Sequence, residues 1–161
     1  MFTRLQAKRP NYRWLIIGPK KSGSSWHIDP NGTSAWNALI RGSKRWIMCS
    51  PEFIPPGVYL SPDGAAVTSP ISLIEWFVNF YDQLKDSGIP YLEGTLHKGE
   101  LIFVPRGWWH VVLNLEESIA VTQNYVPKSQ LAHTLLFLKD TADQVSGVMK
   151  GVFTIYILCY H

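Results

Sequence analysis

Ser24-Ser25-Trp26-His27-Ile28-Asp29, together with Pro105-Arg106-Gly107-Trp108-Trp109-His110, decides how this chain is read. His27 and Asp29 are two residues apart, so on an extended strand both side chains leave the same face. His110 can add a third donor from a distant strand. Two imidazoles and one carboxylate on one side of a metal leave its other side open for chemistry. A His-x-Asp pair alone is a weak signal, because a strand-end aspartate before Pro30 and a hydrogen-bonded core histidine explain it equally well.

Working outward, Arg13 to Gly18 reads as a strand closed by Gly18-Pro19, and Asp29-Pro30-Asn31-Gly32 reads as a turn. Thr33 to Arg41 and Lys44 to Ser50 read as a hairpin about Gly42-Ser43, which would set Asn37 and Lys44 on one face of a single sheet. Pro51 to Ser69 is rich in proline and glycine and reads as a long irregular connection. Ser69-Pro70 offers a cap and first turn for a helix from Pro70 to Asp86, with Leu73, Phe77, Phe80, Tyr81 and Leu84 at helical spacing. Strands follow at Leu101 to Val104, Trp108 to Asn114 and Ser118 to Val126. A three-residue loop at Leu115-Glu116-Glu117 would pair His110 with Thr122 and put Asn114 and Asn124 on the same face. Ser129 to Val145 reads as a second helix. The apolar run Val152 to Leu158 has no evident place.

Short strands with one helix inserted between two blocks and another at the end predict a mainly β fold, a jelly-roll or cupin-type barrel. A sandwich of other topology is the runner-up. Residues 1–147 are expected to form one domain and 148–161 a tail. The 161 residues, 46% hydrophobic and 17% charged, describe a globular protein and argue against disorder. A net charge of +3, spread over isolated pairs such as Lys20-Lys21, does not point to nucleic acid. Cys49 and Cys159 match no zinc spacing and are expected as free thiols. The first nine residues lack a signal-peptide core and no apolar run is long enough for a membrane span, so an intracellular protein is expected.

Iron(II) with a 2-oxo acid and dioxygen is the chemistry that such a donor set suits. The 2-oxo acid chelates the metal, and its remote carboxylate needs a cation in a partly buried pocket. Lys44 is the candidate, with Asn37 beside it, although most lysines are simply solvated. Divalent metal plus Lys44 would balance Asp29 plus a dicarboxylate. Trp14, Trp36, Trp46 and Trp76 are expected in the core. Trp26, Trp108 and Trp109 flank the proposed ligands and could shield them from water. His97 and His133 read as surface residues.

Gly99, Pro105, Gly107, His110 and Asn114 resemble the second cupin motif at every position. Ser24 to Pro30, Gly32 to Leu39, Gly42, Lys44-Arg45-Trp46 and Val104 to Leu115 together resemble a Jumonji C domain. The likeness runs from about Arg13 to Val126, and the branch it suggests is that of the bifunctional arginine demethylases and lysyl hydroxylases. It implies a double-stranded β-helix in which His27, Asp29 and His110 ligate Fe(II). It further implies that Lys44 and Thr122 bind 2-oxoglutarate, that Asn37 and Asn124 line the site, and that Ser24 supplies a hydroxyl three residues before His27. A protein substrate follows from the same likeness, with lysine hydroxylation favoured over demethylation of N-methyl arginine, in the nucleus or cytoplasm. Some Jumonji domains act on a modified tRNA base, which leaves RNA open as a partner. The rival readings are a zinc-dependent hydrolase, since the same donors suit catalytic zinc, and a non-catalytic Jumonji-like binding module.

Overall fold

A computed structural model describes residues 11–146 apart from 63–66, 69 and 70. The apolar run from Val152, Cys159 and the first nine residues therefore lie outside the described residues. The described residues form ten strands: β1 (Arg13–Gly18), β2 (Gly23–His27), β3 (Ser34–Arg41), β4 (Ser43–Cys49), β5 (Tyr59–Leu60), β6 (Val67–Thr68), β7 (Tyr91–His97), β8 (Leu101–Val104), β9 (Trp109–Asn114) and β10 (Ser118–Tyr125). Three α-helices accompany them among the described residues: α1 (Leu73–Asn79), α2 (Tyr81–Asp86) and α3 (Leu131–Asp140). The strands build two antiparallel four-stranded sheets, ordered β1-β10-β3-β8 and β2-β9-β4-β7, with β5 and β6 a separate ribbon. This is the mainly β jelly roll expected from the sequence.

Both expected hairpins are absent. β3 pairs with β10 and β8, whereas β4 pairs with β9 and β7, so the chain crosses from one sheet to the other at Gly42. The same happens between β9 and β10, and Thr122 lies opposite Asn37 and Trp14 rather than opposite His110. The two crossovers pack on each other. Leu115 N donates to Ser43 O at 2.9 Å, Ser118 Oγ lies 3.4 Å from the same carbonyl oxygen, and Arg41 pairs with Glu117 at 3.3 Å. Gly42 makes this corner possible: its φ is +84°, and a Cβ there would stand 2.3 Å from Glu117 O. A tight turn signal does not distinguish a hairpin from such a crossing.

Strand alternation then fills two cores. Ala35, Leu39, Trp46, Met48, Leu96, Val104, Val112 and Ala120 pack between the sheets. On the outer face of the β2-β9-β4-β7 sheet, Trp26, Ile47, Cys49, Trp109 and Val111 pack against Trp76 and Leu84 from the helices. Trp26 and Trp109 thus point away from the proposed ligands and do not shield them. Trp14 is 37% exposed and Trp36 half-buried, so neither is a core residue. Trp46 and Trp76 are buried as expected, and His97 and His133 are exposed.

The expected single helix is two, broken at Phe80, and it starts later than predicted. Ser72 caps α1 through a reciprocal box with Glu75, so the cap is not Ser69. The second expected helix is shorter too, with Thr141 ending α3. The connection after β4 carries the β5-β6 ribbon, and β7 was not expected at all.

Gly42→Ala forces a side chain into left-handed backbone and into Glu117, and is expected to cost roughly 3 kcal/mol, read as a lower urea midpoint. Cys49 is buried and free, and burial pushes its thiol up to about 11. Peptide-resolved alkylation of the native protein at mild alkaline pH is therefore expected to leave Cys49 unmodified until denaturant is added.

Candidate metal and co-substrate site

The site begins with an irregularity in β2. Gly23 and Ser24 pair with Leu113 and Val112, but His27 pairs with His110, a shift of one residue between Ser24 and His27. On a regular strand, residues three apart face opposite ways. The extra residue of this bulge turns His27 inward alongside Ser24, and both border the same cavity. On the opposing strand, Trp108 N donates to Pro105 O at 3.2 Å, closing the turn from which His110 enters β9.

The two imidazoles meet with ring centroids 4.0 Å apart. His27 Nδ1 lies 2.7 Å from Ser25 O, and His110 Nδ1 lies 3.1 Å from Trp108 O. A carbonyl oxygen only accepts, so each ring carries its proton on Nδ1 and keeps the Nε2 lone pair free. Asp29 completes the group: one donor atom from each of His27, Asp29 and His110 lies within 4.8 Å of the others. Asn124 Nδ2 donates to Asp29 Oδ1 at 3.4 Å, while Asp29 Oδ2 is buried with no partner. Burial raises the Asp29 carboxyl, opposed by His27 and by the Asn124 hydrogen bond. Burial, reinforced by His27, pushes His110 down to about 3, so it is neutral at physiological pH. A neutral histidine and an orphaned carboxylate oxygen beside it are what a divalent cation would satisfy. Trp46 stacks on His110, with centroids 5.9 Å apart and planes 19° from parallel.

These groups open into a cavity of about 620 Å³ between the sheets. Lys44 is 3% exposed at its inner wall, and its Nζ donates to Asn114 Oδ1 at 2.9 Å. Burial lowers its pKa. Asn114 is itself fixed by Ser22 Oγ, which accepts from its Nδ2 at 2.9 Å. Among the described cavity residues Lys44 is the one lysine or arginine, and two of its three N–H donors have no partner. Asn37 also borders the cavity, and its Oδ1 is buried without a partner. Thr122 borders it as well, but its hydroxyl donates to Trp36 O at 2.9 Å. Ser24 lies exposed on the bulge side, and Asn124 is anchored to Thr33 Oγ1 at 3.0 Å.

The structure thus brings together all eight residues singled out in the sequence. Asn37 and Lys44 converge from opposite sheets, where a shared hairpin was expected. Trp14, Trp46, Ser22 and Asn114 also contribute to the cavity or support it. Of these, only Asn114 carried a sequence signal, its place in the motif four residues after His110.

Comparison with known proteins agrees with this geometry. Residues 14–125 match the family model described as JmjC domain, hydroxylase. The chain is 57% identical over 149 residues to the arginine-specific demethylase JMJ22 of Arabidopsis thaliana, covering 91% of this chain and 30% of that protein. It is 44% identical over 123 residues to the bifunctional arginine demethylase and lysyl-hydroxylase psr-1 of Caenorhabditis elegans, covering 73% and 30%. It is 33% identical over 136 residues to the human 2-oxoglutarate and iron-dependent oxygenase JMJD4, covering 81% and 30%. The chain therefore spans about 30% of the length of these relatives. With its two facing sheets and the converged His27, Asp29 and His110, the chain belongs to the JmjC domain family.

Proposed function

We propose that this chain carries the catalytic core of an Fe(II)- and 2-oxoglutarate-dependent oxygenase that hydroxylates a protein side chain. The observation that carries the reading is one cavity holding both a His-Asp-His donor group and a buried lysine. His27, Asp29 and His110 would hold the iron through Nε2, a carboxylate oxygen and Nε2, from one side only. The bound metal supplies dioxygen activation coupled to oxidative decarboxylation of 2-oxoglutarate to succinate.

The protein's own part is positional. The Ser25 and Trp108 carbonyls fix each neutral imidazole as the Nδ1–H tautomer, which leaves Nε2 as the donor atom. Asn124 restrains the Asp29 carboxylate. Lys44, steadied by Asn114, has two free N–H donors for the remote carboxylate of the co-substrate. In a buried site that pairing is a charge-assisted bond inaccessible to water. Thr122 becomes a carboxylate donor only if its hydroxyl leaves Trp36 O, whereas Asn37 and Ser24 border the same cavity.

For the substrate we favour lysine in a polypeptide, with N-methyl arginine demethylation second. Both activities are named for the psr-1 relative, and arginine demethylation for JMJ22. No described helix is long and apolar enough to cross a membrane. The same cluster could accept zinc, and hydrolysis in its presence is the contrary outcome to look for.

Turnover of 2-oxoglutarate to succinate under Fe(II) is the direct test. Lys44→Met is expected to raise the KM for 2-oxoglutarate about 30-fold while iron affinity holds, because a hydrogen bond to a charged group contributes about 2 kcal/mol. His110→Ala is expected to abolish iron binding and turnover together. Succinate formation that survives both changes, or hydrolysis restored by zinc, overturns the reading. Mass spectrometry of lysine and methyl-arginine peptides then separates oxygen addition from formaldehyde release.

A further inference from the structure

The turn after Asp29 is gripped from more directions than three residues require. In Pro30–Gly32, Asn31 and Gly32 both have a φ of 58°, in the left-handed region. Thr33 closes the turn, its N and Oγ1 donating to Pro30 O at 3.3 and 2.8 Å. An Asn-Gly pair accepts two successive left-handed residues at little cost, so the turn does not need outside support to form.

Three distant segments hold it all the same. From β10, Asn124 Nδ2 donates to Thr33 Oγ1 as well as to Asp29. From α3, the buried Thr134 hydroxyl donates to Gly32 O at 2.9 Å. The Phe137 ring packs over the turn, 3.4 Å from where a Cβ on Gly32 would stand, and the φ of 58° favours glycine at that position. From beyond α3, Ser146 N donates to Asn31 Oδ1 at 2.8 Å, and Asn31 Nδ2 returns a bond to Ser146 O at 3.2 Å. Asp29 itself adds one buried carboxylate oxygen without a partner.

We propose that α3 and the segment running to Ser146 are a positioning element of the metal site, acting on Asp29 through the 30–33 turn. Thr134 and Asn31 are its positioning residues. Residues 131–146 lie outside the span matched by the family model, so the working site extends past that span. The inference rests on the reading of His27, Asp29 and His110 as ligands. Neither Thr134 nor Asn31 touches the metal position. They restrict the directions in which the Asp29 carboxylate can point, as outer partners of a ligand do.

The test is Co(II) binding to the metal-free full chain, followed by its visible absorption, beside thermal midpoints without metal. Thr134→Val keeps shape and loses the donor, and Asn31→Gly keeps the left-handed backbone and loses the bonds to Ser146. Both are expected to weaken Co(II) about 10-fold and to alter the cobalt spectrum. Thr134→Ser is expected to restore wild-type affinity. Gly42→Ala, destabilised at a remote corner, serves as the structural control and is expected to bind Co(II) normally. Wild-type affinity in both positioning variants, or losses that track stability in all variants including Gly42→Ala, overturns the proposal. A wild-type chain that binds no Co(II) instead sinks the ligand assignment, and the positioning role with it.

Discussion

The bulge between Ser24 and His27 is the constraint on which the site depends. Without that extra residue, β2 would set Trp26 opposite His110 and turn His27 toward the helices. The outer core would then lose an indole that packs on Trp76 with centroids 5.2 Å apart, and the cavity would gain one. One irregular residue therefore serves two surfaces at once. It sends Trp26 into the layer under α1 and α2, and it places His27 across from its partner imidazole.

From that pairing the electrostatics of the interior follow. A jelly roll normally fills the space between its sheets with apolar side chains, and here Leu39, Met48 and Val112 do so beside the polar groups. Asn37, Lys44, His110, Asn114 and Asn124 are buried among them. Such groups are costly unless each finds a partner. Lys44 has Asn114, and Asn124 has Thr33 and Asp29, but Asn37 Oδ1 and Asp29 Oδ2 have none. The unpaired atoms border the region where ligands would enter. Stability is withheld where binding would later supply it.

How much of this was legible beforehand depends on what each inference used. Side-chain alternation is a local property, so the inward set Asn37, Lys44, His110, Thr122 and Asn124 could be read from strand parity. Sheet membership is not local. Gly42-Ser43 and Leu115-Glu116-Glu117 look like hairpin turns because a crossing between sheets needs the same small or polar residues. The correct face was thus reached through the wrong partner strand. The bulge left no trace in Ser-Ser-Trp-His, which lacks the glycine that often marks one. β7 was missed because Glu93 and Gly94 interrupt its pattern, and its pairing with β4 supplies what its own sequence does not. The Ser72–Glu75 box was visible, but Ser69-Pro70 offered a competing cap nearby. The motif residues around His27 and His110 were the clearest signal, since their chemistry is specific even where topology is not.

The pairing of β1 with β10 has a consequence for how the protein is made. Arg13 Nε donates to Gln123 across 110 residues of chain, and His27 finds His110 only once β9 exists. Contacts so remote in sequence form slowly, because a large loop must close before they return any free energy. A ribosome-bound chain ending short of Tyr125 would hold His27 and Asp29 on an unfinished half-barrel. The pocket therefore cannot close before β9 and β10 have both been made, and a chain short of them has no enclosed place to trap a metal.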